Sequence, residues 1–295
     1  MNVIELVNKY LPVLDEQYRQ LSKTAILDMP KEWVKDTKDA KKVKIAKYKT
    51  DKLGGYSRVN GFVKGSMSLT WEEHEFTQDR GRSIQVDHED NEETFGMAFG
   101  RLAGRFQKDA VIPELDAYRI ATYAAKAGHK DTLDLSKDSV LRKIDHLDAL
   151  LDDEEVINDA SIEKKLEVSD EMTKALNKKI YSYNNHPLIK VTSKRMYTKI
   201  KLYDGTTSGQ EEGGYVKDPT GADLGLLMVN QDAVVQISKR AVARIWAPSR
   251  EYAAGTDGVN PDADAWKFDF RVYHDAWVLD EKVNGIAALT LTPGK

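Results

Sequence analysis

The sequence predicts an α+β chain made of long, extended parts, and three observations carry that reading. Trp266, Phe268, Phe270, Val272, Ala276 and Val278 alternate with Lys267, Asp269, Arg271, Tyr273 and Asp275, which makes one long strand with an apolar and a charged face. Phe95, Ala98, Phe99, Leu102, Ala103 and Phe106 fall at helical spacing, and the helix continues to about Ala125. Ahead of both, residues 43 to 88 read as extended ribbons jointed by Gly54, Gly55, Gly61 and Gly65.

Bulk properties narrow the class. The chain has 295 residues, 41% hydrophobic and 31% charged, so it folds while keeping much polar surface. Its formal net charge of −4 argues against a dedicated nucleic-acid binder. It has no cysteine, which excludes disulfides and thiolate metal sites and allows a reducing compartment. The first residues lack the basic start, apolar core and cleavage site of a signal peptide. No stretch approaches the roughly 20 apolar residues that span a bilayer. The expectation is a soluble product of the cytoplasm.

In chain order, Val3, Val7, Leu11, Leu14, Tyr18 and Leu21 share one helical face, interrupted by Pro12. This is either a buried helix or an arm that lies on a neighbouring chain. The lysine-dense run from Asp36 to Lys52 is a solvated face, because the aromatic interleaving of a nucleic-acid site is thin. The stretch 53 to 65 is turn-rich, with Asn60-Gly61 a hairpin dipeptide, and its glycine spacing is wrong for a phosphate loop. Met67, Leu69 and Trp71 then alternate with polar residues, a turn is expected at Asp79 to Gly81, and Ile84, Val86 and His88 alternate again. A two-stranded ribbon is marginal alone in water, so it needs something to lie on.

Asp87, His88, Glu89, Asp90, Glu92 and Glu93 could be a metal or acid/base cluster. The simpler reading is a strand-to-helix junction. Asp90 or Asn91 caps the helix, and the glutamates oppose its positive end. Gly96, Gly100 and Gly104 recur every four residues, a smooth stripe on the helix. Each costs about 0.5–1 kcal/mol relative to alanine, so something should cross there closely. The crossing partner is either the arm or a neighbour's loop, or the long Trp266 to Val278 strand of the same chain. Pro113 is a possible kink or restart. Two more helices are expected, at Ser139 to Leu151 and from Ser169. A glycine- and acid-rich loop spans Thr206 to Gly221, and "LGLLMVNQDAVVQIS" reads as a buried strand followed by a short element. His274 falls on the apolar face and is expected to be a satisfied, half-buried histidine. Asn284-Gly285 turns the chain into "IAALTL".

No Ser-His-Asp, Walker, Rossmann or HExxH pattern stands in its required context. An α+β enzyme or binding module with an unmarked site stays open beside a protein whose long parts touch neighbours.

The order of parts resembles the major capsid proteins of tailed phages, with the fold named after phage Hong Kong 97, most nearly those of siphophages of Gram-positive hosts. "YSRVNGFVKGSMSLTWEEHEFTQDRGRSIQVDHEDNEETFGMAFGRLAGRFQKDAVIPELDAYRIATYA" looks like the family's extended loop running into its spine helix. "LLMVNQDAVVQISKRAVARIWAP" and "DADAWKFDFRVYHDAWVLDEKVNGIAAL" look like its long peripheral strands and closing hairpin, and "LVNKYLPVLDEQYRQLSKTAILDM" like its N-arm. The resemblance implies a Hong Kong 97-like capsid fold with an N-terminal arm at 1–42, an extended loop at 43–88 and a spine helix of the peripheral domain at 89–125. An axial domain would follow at 126–235, peripheral long strands at 236–283 and a C-terminal strand at 284–295. It implies a structural, non-enzymatic protein of the virion capsid, assembled in the host cytoplasm, that encloses double-stranded DNA in an icosahedral head. An encapsulin-like shell with other cargo is the variant reading. The implied partners are copies of itself as hexamers and pentamers, a separate scaffolding protein, a portal protein and weakly touched DNA, with no cofactor, metal or membrane. Leu69, Trp71, Phe76, Arg80, Arg82, Gly96, Gly100 and Gly104 are the expected contacts between subunits.

Overall fold

The computed structural model describes residues 22–28, 33–39, 41–87, 104–134, 140–154, 160–164, 182–183, 186–248, 259–260 and 262–292. The longest strand, β13 (Ala265–Val278), lies between β12 (Val234–Trp246) and β4 (Gln78–Asp87) in a three-stranded antiparallel sheet. Its alternation sorts the two faces as far as Arg271, but from Val272 to Ala276 every residue is buried, so Tyr273 and Asp275, expected on a wet face, are covered too. Phe268, Phe270 and Val272 form a buried cluster with Ile245, against which Phe106 packs, while Arg271 stays exposed.

The helix is described from Gly104 onward. It passes through a π-turn at Gln107–Val111 and continues as α1 (Ile112–Lys126). Pro113 stands in the first turn of α1, so the helix runs through it instead of restarting there. Proline lacks the N–H for an α-type bond to the residue four back, and the wide turn just before it accommodates that loss. Gly96 and Gly100 lie outside the described residues. Two residues beyond Gly104, Phe106 meets Phe268 and Phe270 edge-on, at 6.5 and 5.9 Å between ring centres.

Beside this sheet stands a six-stranded one, in the order β5 (His129–Leu133), β14 (Ile286–Leu291), β11 (Leu224–Val229), β6 (Ala160–Lys164), β8 (His186–Val191), β7 (Ser182–Tyr183). Strand β11 is buried on both faces, which is why its sequence is a continuous apolar run. Leu226 and Met228 pack with Val140, Ile144, Leu147 and Leu151 of α2 (Val140–Asp153). Leu227 and Val229 pack with Ile120, Tyr123 and Ala124 of α1. The helix expected from Ser169 falls outside the described residues. A small hairpin, β9 (Ile200–Leu202) with β10 (Tyr215–Lys217), carries the glycine-rich loop.

One expectation is corrected. Asp79 to Gly81 is not a turn but the interior of β4, paired with Arg271 to Tyr273. Gly81 is needed there because a Cβ would lie 2.7 Å from the Phe270 carbonyl oxygen. The chain bends earlier, at Phe76-Thr77. The stretch read as one ribbon therefore divides into an antiparallel hairpin, β2 (Lys42–Thr50) with β3 (Met67–Glu75), and β4, which belongs to the sheet of β13. A short strand, β1 (Val34–Asp36), edges the hairpin on β2.

Residues 22–28 are held by a buried polar lock. The Asp116 carboxylate is fully buried and accepts hydrogen bonds from Ser22 Oγ (2.7 Å), Lys23 N (2.9 Å), Thr24 Oγ1 (2.8 Å) and Arg195 Nη1 (3.0 Å). Arg119, also buried, donates to Thr24 Oγ1 and Ser238 Oγ. Gln236 donates to Thr24 O and Asp28 Oδ1 and accepts from the Tyr123 hydroxyl. Removing one partner of a buried charged pair costs about 3–5 kcal/mol. Asp116→Ala is therefore expected to lower stability to urea by that order. A loss below about 1 kcal/mol would show that the lock is not structural.

Candidate assembly surface

The hairpin of β2 and β3 is the part of the described chain least supported by its own body. Its ladder runs through nine pairs, from Lys42 with Glu75 to Thr50 with Met67. At about 3.3 Å per residue this is a ribbon of roughly 30 Å. Beyond it, Asp51 N donates to Ser66 O, and the Asp51 carboxylate accepts from Ser66 N (2.7 Å) and Ser66 Oγ (2.9 Å). The Ser66 backbone N–H and hydroxyl hold that carboxyl below its usual range. At the tip Ser57 and Gly61 exchange backbone bonds of 3.1 and 2.7 Å, and Gly61 takes a φ of +74°, so the Asn60-Gly61 hairpin signal was sound. The Tyr56 and Phe62 rings pack on each other at 4.9 Å. Among the described residues, no hydrogen bond or ion pair joins residues 51–66 to the rest of the chain.

The surface of this ribbon is unusual. Ten large apolar or aromatic side chains are exposed among the described residues, and seven of them, Leu53, Tyr56, Val59, Phe62, Val63, Met67 and Leu69, lie on its outer half. A concentration of exposed apolar side chains on one projection points to an interaction site. The ribbon is also basic. Lys41, Lys42, Lys44, Lys47, Lys49, Lys52, Arg58 and Lys64 stand against Asp51, Glu72, Glu73 and Glu75 between residues 41 and 75, a formal +4, with three of the four acids at the base. With −4 for the whole chain, the remainder carries −8.

The base of the ribbon, by contrast, is fixed. Phe76 is buried with Val43, Ile45, Val235 and Tyr273. The Asp275 carboxylate accepts from Thr77 N (2.8 Å), Thr77 Oγ1 (2.7 Å) and the Tyr118 hydroxyl (2.9 Å). Arg271 forks onto Asp79 at 2.8 and 2.6 Å and depresses its carboxyl pKa. Arg80 forks onto Glu114 of α1 at 2.6 and 3.1 Å.

Of the expected contact residues, Leu69 is exposed on the ribbon, and Trp71 is half-buried with the Lys35 ammonium 3.9 Å from its ring centre. Phe76 lies in the chain's own core, and Arg80 is engaged by Glu114. Arg82 donates to the Glu211 and Glu212 carbonyl oxygens, at 3.2 and 2.9 Å. Gly104 is half-buried at the start of the described helix. The sequence reading passed over Leu53, Tyr56, Val59, Phe62 and Val63. The available signal was a set of apolar residues in a turn-rich stretch with no periodicity to give them an inner face. Of the acidic cluster, only Asp87 lies within the described residues, and among those no three metal-capable side chains converge.

His274 departs from expectation. It is fully buried, with the Tyr118 ring edge-on at 5.1 Å, and neither ring nitrogen has a hydrogen-bond partner among the described residues. An apolar strand face leaves its nitrogens no acceptor or donor.

No family model matches the chain, and no curated protein sequence does. Solved structures do match. A chain of Mycobacterium phage Ogopogo is 9% identical, with 93% of this chain and 91% of that one covered and a TM-score of 0.55. A chain of the mature capsid of bacteriophage PhiM1 is 9% identical, with coverages of 86% and 83% and a TM-score of 0.53. A chain of the capsid of cyanophage P-SCSP1u is 8% identical, with coverages of 88% and 86% and a TM-score of 0.51. At these identities the likeness is one of fold, and this chain has the α+β fold of those phage chains, two of which come from capsids.

Burial, helped by the Arg119 and Arg80 charges, pushes the His274 imidazole down to about 3. Its pKa in the folded chain is thus below the ordinary value near 6.5, so the unfolded chain takes up the proton first. Stability is complete above about pH 6.5 and falls as pH drops toward 3. At about 1.4 kcal/mol per pH unit, wild type should lose about 2 kcal/mol by pH 5 that His274→Leu retains. Superimposable urea-unfolding profiles for the two chains across pH 7.5 to 5 would rule this out.

Proposed function

We propose that this chain is the major capsid protein of a tailed phage. Copies of it build the icosahedral head around double-stranded DNA, and its role is structural and not enzymatic. The observation that carries the reading is the ribbon, a basic, apolar-tipped projection that no described residue of its own chain covers, on a fold shared with phage capsid chains. A protein of fixed shape that leaves such a surface open buries it against other molecules. Repetition of one contact between copies closes rings and shells.

In the Hong Kong 97-like scheme, the hairpin of β2 and β3 is the extended loop and the helix through α1 is the spine. The sheet of β12, β13 and β4 is the peripheral domain, and the six-stranded sheet with α2 is the axial domain. Residues 22–28 are then the root of the N-terminal arm. Hexamers and pentamers of this chain would meet a scaffolding protein and a portal protein during assembly in the host cytoplasm, and DNA only loosely. Tight DNA binding would oppose packaging, and the net charge of −4 supports loose contact.

Electron microscopy and light scattering of the chain co-expressed with a scaffold test the reading: closed particles, tubes or capsomers are expected, and monomers at every concentration and salt would sink it. The exposed apolar residues give a sharper version. Val59→Ser, Phe62→Ser and Val63→Ser together should leave the isolated subunit within about 0.5 kcal/mol of wild type by urea unfolding, because surface changes rarely exceed that. Particle formation should be lost. Normal particles from the triple variant would show that the tip is not an assembly contact.

A further inference from the structure

Two Asn-Gly pairs occur in the sequence, and both stand in the same tripeptide, Val59-Asn60-Gly61 and Val283-Asn284-Gly285. Glycine carries no side chain to shield its backbone nitrogen from the asparagine before it, so the two sites are alike in their local chemistry. The fold treats them differently.

Asn60 is exposed at the ribbon tip. Its backbone N–H donates to Ser57 Oγ (3.2 Å), and its side chain has no hydrogen-bond partner among the described residues. The Gly61 N–H donates to Ser57 O at 2.7 Å, so the turn must open before that nitrogen can react. Opening is local, because no hydrogen bond or ion pair among the described residues ties this part of the ribbon to the body. Asn284 is held from several sides. Its Nδ2 donates to Glu154 Oε1 at 3.1 Å. Val283 O accepts from Gly128 N and Gly285 O from Asn230 N, each at 2.9 Å. The Gly128 backbone passes so close that a Cβ there would lie 2.7 Å from Asn284 Oδ1. Gly285 is buried, and Ile286 after it lies wholly in the core. Opening this turn means unpacking the start of β14.

We propose that Asn60 is a site of spontaneous deamidation in the folded chain and that Asn284 is protected from it. The Gly61 nitrogen loses its proton to water and bonds to Asn60 Cγ. The Cγ–Nδ2 bond breaks, and the nitrogen takes a proton from water and leaves as ammonia, which closes a succinimide. Water then adds to one of the two ring carbonyl carbons. Opening at Cγ gives aspartate. Opening at the Asn60 backbone carbonyl gives isoaspartate, whose main chain runs through the side chain and is one methylene longer. In sum, one amide and one water become one carboxylic acid and one ammonia. Either product sets a carboxylate beside Arg58 and the exposed Val59, Phe62 and Val63. Isoaspartate also lengthens the backbone inside the turn that Ser57 and Gly61 close, so that closure is lost. A chain that waits unassembled thus ages at its tip and drops out of the pool that can assemble. That last consequence rests on the shell reading, and the reaction itself does not.

Trypsin cuts after Arg58, Lys64 and Lys282, which releases the two sites as separate peptides, 59–64 and 283–295. Purified chain is held in warm, mildly alkaline buffer, with and without guanidinium, and both peptides are followed by mass spectrometry, freshly purified chain setting the zero. In the folded chain Asn60 is expected to convert at least about tenfold faster than Asn284, the difference between opening a free tip and opening a packed turn. In guanidinium the two rates should converge. Equal rates in the folded chain, a faster Asn284, or an Asn60 that stays intact while the unfolded chain reacts would each overturn the site. Particles assembled from a partly aged pool should hold a smaller share of converted Asn60 than the unassembled remainder. Equal shares overturn the effect on assembly and leave the site standing. Absence of particles from fresh chain overturns the shell reading, and the effect on assembly falls with it.

Discussion

The Asp275 carboxylate is where the fold is tied together. It takes the backbone and hydroxyl of Thr77 at the chain's corner and the hydroxyl of Tyr118 on α1, and it sits in β13 itself. Three elements far apart in sequence thus share one buried acceptor, where the low local dielectric strengthens hydrogen bonds to charge. The corner fixes where β3 ends and β4 begins. That in turn fixes the register of β4 on β13, which the Asp79–Arg271 and Arg80–Glu114 forks secure along the strand. The ribbon can project with no support at its tip because its root cannot rotate.

From that root the molecule divides its polar groups by purpose. Where the chain packs on itself, polar groups are buried and hydrogen-bonded, as at Asp116 and Gln236 around residues 22–28. On the ribbon the arrangement is reversed. Apolar groups face outward, lysines line one strand, and Asp51 is occupied with Ser66. Such a surface is stable in water only because the flanking charges keep it soluble.

Much of this was legible in the sequence, for identifiable reasons. Strand β13 announced itself because its first half alternates buried with more open residues, while the burial of Tyr273 and Asp275 on the other face depends on elements that its own sequence does not reveal. Helix α2 did so through Val140, Ile144, Leu147 and Leu151 at helical spacing. The Asn60-Gly61 turn was readable from local chemistry alone. What failed was long-range. Nothing local says that Gly81 is a glycine because the Phe270 carbonyl passes close by, so it was mistaken for a turn. Phe76 and Arg80 looked like surface groups of a ribbon, while their partners, Tyr273 and Glu114, come from other parts of the chain. The apolar tip was overlooked for the opposite reason: with no inner face, it has no period to read.

Strand β14 lies between β5 and β11 in the six-stranded sheet, parallel to one and antiparallel to the other. Both neighbours are synthesised before it. The two halves of that sheet therefore wait, with Leu226, Met228 and Leu133 short of their packing partners Ala287 and Leu289, until the last strand emerges from the ribosome. The hairpin of β2 and β3 is local in sequence and can pair long before that. A nascent chain can thus form its projecting hairpin early, while the body it stands on closes late, so the exposed apolar tip is present before the six-stranded sheet is complete.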